Sequence, residues 1–339
     1  MNVLHYISVR ALGALLTSLG GSLIFGERFI TLARRKFASQ PRENTPASHQ
    51  AKQNLPTMGG IFILGNILAS MLIWGNLGSF KLWLCLLALF GFGLIGLLDD
   101  WNKLKKRRGI SSGLKLVLQL AISGLIAAIL IWWVDPSTEL FFPFFKNLHP
   151  DLGWLFLVWV VFVLVASSNA VNLTDGLDGL ALGSLISNFG VFALIAYLAG
   201  HIKLAAYLQI PFAGTAELTV LGGALLGSSL GFLWYNSYPA QIFMGDVGSL
   251  ALGGVLGLIA IMTKQELLFI IAGGLFVLET ISVIVQVLVY RIWKHRVFKM
   301  APIHHHFELM GWPESKITVR FAIISVVLGL LALITLKLR

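Results

Sequence analysis

Ten apolar runs, each close to the length that crosses a bilayer as a helix, leave this chain very few folds to choose from. They fall near 9–33, 58–77, 81–98, 113–134, 153–171, 179–199, 217–235, 247–263, 267–290 and 317–337. A hydrocarbon core about 30 Å thick takes roughly twenty helical residues, and backbone inside lipid must satisfy its own hydrogen bonds. The expected class is therefore an all-α polytopic membrane protein with about ten transmembrane helices. A 57% hydrophobic content, 12% charged residues and a mean hydropathy of +0.84 exclude an ordinary soluble domain. The first apolar stretch, Ala11 to Gly26, is followed by Glu27-Arg28 where a cleavage site would need small residues, so it reads as a span and not a removed signal. The run 217–235 is the softest, because it is rich in Gly and Ser, although small residues also serve tight helix packing in lipid. No stretch outside the runs is longer than a loop, and residues 1–339 are expected to form one integral membrane domain.

Counting spans assigns each loop to a face. Loops after odd-numbered spans carry Arg34, Arg35, Lys36 and Lys52, the run Lys103 to Arg108, and Arg291 to Lys299, whereas the even loops hold only scattered lysines. That asymmetry places the odd loops in the cytoplasm and both termini on the outer side. It also accounts for the net charge of +10 without nucleic acid, which is not an expected partner. The single cysteine, Cys85, lies inside an apolar run, so neither a disulfide framework nor a CxxC metal pair exists. Five of the seven aspartates (Asp99, Asp100, Asp175, Asp178 and Asp246) lie at cytoplasmic loops. Carboxylates gathered from three loops against a basic background point to a site assembled by folding.

The segment Ser167 to Leu180 puts Asn169, Asn172, Asp175 and Asp178 at three-residue spacing, which clusters them on one side if the turns are helical. Loops commonly collect Asn, Asp and Gly, so this stretch is also what a polar interhelix turn looks like. Asp99-Asp100 closes the third span, and two adjacent carboxylates repel unless a cation stabilises both. Lys103 and Lys115 are suited to phosphate oxygens. Asp246 opens the eighth span, where a helix N-terminus favours its charge; an Asp there is ordinarily an N-cap, yet Mg2+ characteristically takes one or two carboxylates plus substrate phosphates. Phe243 offers a flat face for a base or an interfacial anchor. His304-His305-His306 cannot jointly hold one zinc, since consecutive side chains diverge, and they suit phosphate contacts or proton transfer better.

The combination of Pro56-Thr57-Met-Gly-Gly60, Asp99-Asp100, Asn172-Leu-Thr-Asp175-Gly176-Leu177-Asp178-Gly, Phe243-Met-Gly-Asp246 and Pro302-Ile-His-His-His-Phe-Glu308 resembles the phospho-N-acetylmuramoyl-pentapeptide transferase family. The aspartates and the Asn-rich loop are similar to those of the wider polyprenyl-phosphate N-acetylhexosamine-1-phosphate transferases, and the histidine loop points to the muramoyl-pentapeptide branch. The resemblance implies transfer from UDP-N-acetylmuramoyl-pentapeptide to undecaprenyl phosphate, Mg2+ as cofactor, and a homodimer in the bacterial cytoplasmic membrane. It implies further that Asp246 holds Mg2+ and that Asp99 deprotonates or orients the lipid phosphate, with Asp100 in support. Lys52, Thr57, Asn172, Asp175, Gly176, Leu177, Asp178, Asn236 and Phe243 would bind the nucleotide donor. Lys103, Lys115, His304 and His305 would position phosphates.

A transporter would also carry polar residues in broken helices, but its charges belong near the midplane, and these lie at span ends on one side. A related transferase using UDP-N-acetylglucosamine is the nearer rival.

Overall fold

The computed structural model describes residues 5–37, 55–106, 108–135, 137–145 and 147–337. Among them there is no β-sheet, only an isolated antiparallel bridge between Glu139 and Asp151. In chain order the helices are α1 (Ile7–Lys36), α2 (Gly60–Trp74), α3 (Phe80–Lys106), α4 (Ser112–Ile129, extended by a π turn to Val134) and α5 (Leu155–Thr174). They continue as α6 (Leu180–Ala199), α7 (Ile202–Leu208), α8 (Ala216–Asn236), α9 (Gly245–Met262), α10 (Glu266–Ala272), α11 (Gly274–Trp293), α12 (Ile303–Glu308) and α13 (Glu314–Thr335).

Nine helices among the described residues are long and apolar enough to cross a membrane, so the chain is an all-α polytopic membrane protein. The expected second span is shorter than the rest: α2 has 15 residues. The expected ninth is broken at Gly273 into α10 and α11.

The most enclosed helix is α9, flanked by α3 and α5. Lipid gives apolar side chains no reason to prefer one another, so packing there depends on backbones coming close. A Cβ on Gly60 would stand 2.1 Å from the Gly248 nitrogen, and one on Gly96 would stand 2.2 Å from the Asp246 carbonyl. The same device explains the soft span. In α8, Gly223, Gly227 and Gly231 recur every fourth residue and abut Ala11, Leu15 and Ser22 of α1, while the Ser18 hydroxyl donates to the Ala224 carbonyl at 3.0 Å. Glycine and serine there are the contact surface between two helices.

Polar groups gather at the two ends of the bundle. At one, Arg10 pairs with Glu217 at 2.7 Å and donates to the Trp74 carbonyl, and Lys264 pairs with Asp135 at 3.1 Å. The first helix begins here, and Lys337 donates to Tyr207 beside it, so both described chain ends lie at this end. The other end collects the loops that carry Asp99, Asp175, Asp246 and the histidines.

Valine at Gly96 should force α3 off α9, because the obstructing atom is backbone. Overpacking of this kind costs about 1–3 kcal/mol or more. The detergent-solubilised Gly96→Val protein should melt several degrees lower or lose its monodisperse peak, while Gly124→Ala, where a Cβ meets nothing within 4 Å, should match wild type.

Candidate functional site

Asp99 and Asp100 fall in the last two turns of α3, and Asp246 in the first turn of α9. Close packing at Gly96 brings them together: a ligand oxygen from each carboxylate lies within 4.8 Å of those of the other two. Both α3 aspartates are buried. Lys103 stands among all three, with Nζ 2.7 Å from Asp99 Oδ2, 3.3 Å from Asp100 Oδ1 and 2.8 Å from Asp246 Oδ1. Lys115, reaching in from α4, approaches Asp246 Oδ2 at 2.6 Å and Asp99 Oδ2 at 4.0 Å.

Backbone donors fix the carboxylates from behind. The Ile110 N–H donates to Asp99 Oδ1 at 2.8 Å, and the Val247 N–H to Asp100 Oδ2 at 3.3 Å. Gly245 adopts φ +74, and a Cβ on it would lie 2.5 Å from Asp100 Oδ2 and 3.1 Å from the Thr57 hydroxyl oxygen. Glycine is required twice over here, for the backbone angle and for the space. The Pro56–Gly60 segment is pinned beside it: Phe243 N–H donates to Pro56 O at 2.9 Å, and Gly59 and Gly60 donate to Phe243 and Met244 carbonyls at 2.9 and 2.8 Å. Thr57 and Phe243 thus border the cluster. Lys52 lies outside the described residues.

The Asn-rich loop departs from the uniform helical spacing. Asn169 and Asn172 belong to α5, but that helix ends at Thr174, Asp175 caps it, and Gly179 turns at φ +76. Asn172 donates to Ser249 Oγ of α9 at 2.8 Å. Two other residues of the expected nucleotide set hold the loops to each other. Asp178 Oδ2 accepts from Ala240 N–H at 3.0 Å, and Asn236 accepts from Gly179 N–H at 3.1 Å while donating to the Ile242 carbonyl at 2.8 Å. The Leu177 side chain is buried with Leu180, Leu275, Ile317 and Phe321, which leaves its backbone as the part turned to any ligand.

The histidines divide by depth. His304 is 0% exposed, and its Nδ1 lies 3.1 Å from the Glu279 carboxylate, itself 0% exposed in the second turn of α11. A Cβ on Gly176 would stand 2.3 Å from His304 Nε2, so the imidazole is pressed against the backbone of the loop after α5. His305 is partly exposed, with Nδ1 3.0 Å from Glu308. Sequence reasoning passed over Glu279 and Glu314, whose Oε1 accepts from the Asp178 N–H at 2.7 Å. Glu279 had a signal: it is the single charged residue in the apolar run 267–290, and charge inside a span ordinarily marks a partner or a site.

The arrangement offers a carboxylate triad for a hard cation, two ammonium groups for phosphate oxygens, and a loop of backbone and amide groups beside them. Residues 82–264, which include the carboxylates and end before the histidines, match the model of glycosyl transferase family 4. Over its full length the chain is 51% identical to a phospho-N-acetylmuramoyl-pentapeptide-transferase of Solidesulfovibrio magneticus, covering 96% of that protein. It is 50% identical to the protein of the same name from Oleidesulfovibrio alaskensis, and 48% identical to that of a Geobacter species, again with 100% of this chain and 96% of each relative covered.

Burial of its carboxyl, and after that the charges of Asp246, Asp100 and Asp178, push the pKa of Asp175 from 3.8 up to about 8. Unfolded, this group loses its proton near the ordinary value; folded, it keeps the proton to about pH 8, so its stabilising contribution is complete below 3.8 and is lost as pH rises through 8. Without divalent cations, the melting temperature should therefore decline from about pH 6 to about pH 8, and Asp175→Asn should reduce that slope. An equal slope in both proteins would assign the effect to another group.

Proposed function

The chain belongs to the phospho-N-acetylmuramoyl-pentapeptide-transferase family, and we propose that it moves phospho-N-acetylmuramoyl-pentapeptide from its UDP carrier to undecaprenyl phosphate, releasing UMP and leaving lipid I. An enzyme of peptidoglycan biosynthesis follows from the relatives' name; the substrates, the product and the cytoplasmic face of the inner membrane are our reading. The observation that carries it is Lys103 at 3.3 Å or less from three carboxylates of two helices, at the end of the bundle where the basic loops meet.

Phosphoryl transfer is chiefly positioning plus neutralisation of oxygen charge. Asp99 has one oxygen held by the Ile110 N–H and the other turned to the lysines, an orientation that suits it to steer or deprotonate the acceptor phosphate for direct attack on the donor. Asp100, bound to the start of α9, keeps the two helices in register. Lys103 and Lys115 are the groups a phosphate would draw away from the carboxylates. Asn172, Asp175, the Gly176–Leu177 backbone and Phe243 border the space for the nucleotide. Asp178 and Asn236 act by tying that loop in place, and buried His304 acts by supporting Gly176. His305 is the histidine placed to meet the donor's phosphates.

Mg2+ prefers a few carboxylate oxygens together with phosphates, and oxygens from Asp99, Asp100 and Asp246 within 4.8 Å of one another fit it, with Asp246 as the principal ligand. Bound there, it would supply charge neutralisation for the diphosphate. A homodimer in the membrane, one transferase domain over residues 1–339, and periplasmic termini complete the proposal.

UMP release in detergent, with undecaprenyl phosphate as acceptor and Mg2+ present, should be seen with UDP-N-acetylmuramoyl-pentapeptide. Absence of UMP with any prenyl phosphate would reject the reaction, and preference for UDP-N-acetylglucosamine would reject the branch. Asp246→Asn should lower turnover about a hundredfold or more, on the scale of losing one group that stabilises developing charge, while the protein still elutes as a folded peak. A reporter at the C-terminus should behave as periplasmic; cytoplasmic behaviour would overturn the assignment of faces.

A further inference from the structure

A cleft of about 460 Å3 runs from the carboxylates and lysines into the bundle between α4 and α5. Asp99, Lys103 and Lys115 line one end, and Gln119 and Asn169 line the other. Gln119 follows Lys115 by four residues on α4, so it sits one turn, about 6 Å, further into the apolar part of the protein. Leu116 also lines this cleft and is 47% exposed on the outer surface of the bundle, so the cleft opens sideways toward lipid.

Gln119 is 1% exposed, and its Nε2 has no hydrogen-bond partner among the described residues. Its orientation follows from a backbone carbonyl. Asn169 donates from Nδ2 to Val165 O at 2.8 Å, which accepts only, and the same nitrogen donates to Gln119 Oε1 at 2.9 Å. The carbonyl end of Gln119 is thereby taken, and its two N–H bonds are left unpaired in a poorly hydrated place. A buried amide in that condition is costly unless something accepts from it. In a cleft that holds two ammonium groups and opens to lipid, the matching acceptor is an anionic oxygen on an amphiphile.

We propose that Gln119 binds the phosphate of the prenyl phosphate acceptor, donating from Nε2 to an oxygen on the membrane side of the group that reacts, and that Asn169 positions it. This rests on the transferase reading above and adds a subsite to it. With Lys115 and Gln119 one turn apart, the phosphate is held at the carboxylate end by charge and at the membrane end by an amide. The donor nucleotide, bordered by the loop beyond Thr174, does not meet Gln119.

The test is steady-state kinetics on the purified full-length protein with each substrate varied in turn. Gln119→Met, which keeps the volume and removes the donor, should raise KM for undecaprenyl phosphate roughly tenfold, as expected for one lost hydrogen bond to a charged group, with KM for the UDP substrate unchanged within about twofold. Gln119→Glu at pH 8.5 keeps an acceptor for Asn169 but replaces the donor with negative charge, and should be worse than Gln119→Met. A purely structural Gln119 would move the two KM values alike, or neither, in both variants. An unchanged lipid KM in Gln119→Met, or equal rises for both substrates, overturns the inference while wild-type UMP release stands. If the methionine variant cannot be extracted intact, Gln119→Asn, one methylene short, should give a smaller rise confined to the lipid. Wild-type protein that releases no UMP with prenyl phosphate rejects the transferase reading itself, and this subsite with it.

Discussion

Lys103 stands within 3.3 Å of Asp99, Asp100 and Asp246, with Lys115 closing the other side of Asp246. Three carboxylates at this spacing repel, and burial removes the water that would screen them. Two ammonium groups offset that repulsion and also make the site ready for exchange. In the proposed reaction a phosphate-bearing substrate and a divalent cation would take over the lysine–carboxylate contacts pair by pair, without leaving a charge uncompensated. Like-charge crowding is tolerable here because the compensating cations belong to the same chain. At Asp175 burial and the charges of Asp246, Asp100 and Asp178 outweigh the pull of Lys103, and the carboxyl keeps its proton to about pH 8.

The cluster depends in turn on how closely helices approach. Asp99 and Asp246 can share a lysine only because Gly96 lets α3 touch the first turn of α9, and because Gly60 lets α2 do the same from the other side. In lipid that closeness is what holds helices together, since apolar side chains gain nothing by leaving the hydrocarbon. Packing and chemistry therefore draw on the same glycines. Around this centre, carboxylates and amides far apart in sequence fasten the loops: Glu314 to Asp178, Asp178 to Ala240, Asn236 to Gly179 and Ile242, and Glu279 to His304.

Several residues that look chemical in the sequence are enclosed by distant parts of the chain. His304 is sealed between Glu279 and Gly176, and Asn236 and Asp178 hydrogen-bond to backbone of the adjoining loop. Residue type alone could not separate them from His305 or Asp175, because burial is decided by elements far off in the chain. Gln119 is the converse case. In sequence it is one polar residue in an apolar run; in space it floors the cleft one turn beneath Lys115.

Apolar length and charge placement are properties of contiguous segments, so the sequence by itself determined an all-helical membrane protein and pointed to the aspartates that the fold gathers at one end. Each helix satisfies its own backbone in lipid, which makes it legible one run at a time. Distances between segments are not local in that way. Only the tertiary structure decided that Lys103 reaches three carboxylates, that the Asn-rich helix stops at Thr174, that α2 is short and the ninth run breaks at Gly273, and that Glu279 lies under the histidines. Those outcomes depend on where a missing Cβ lets two backbones meet, and that is a property of both partners at once.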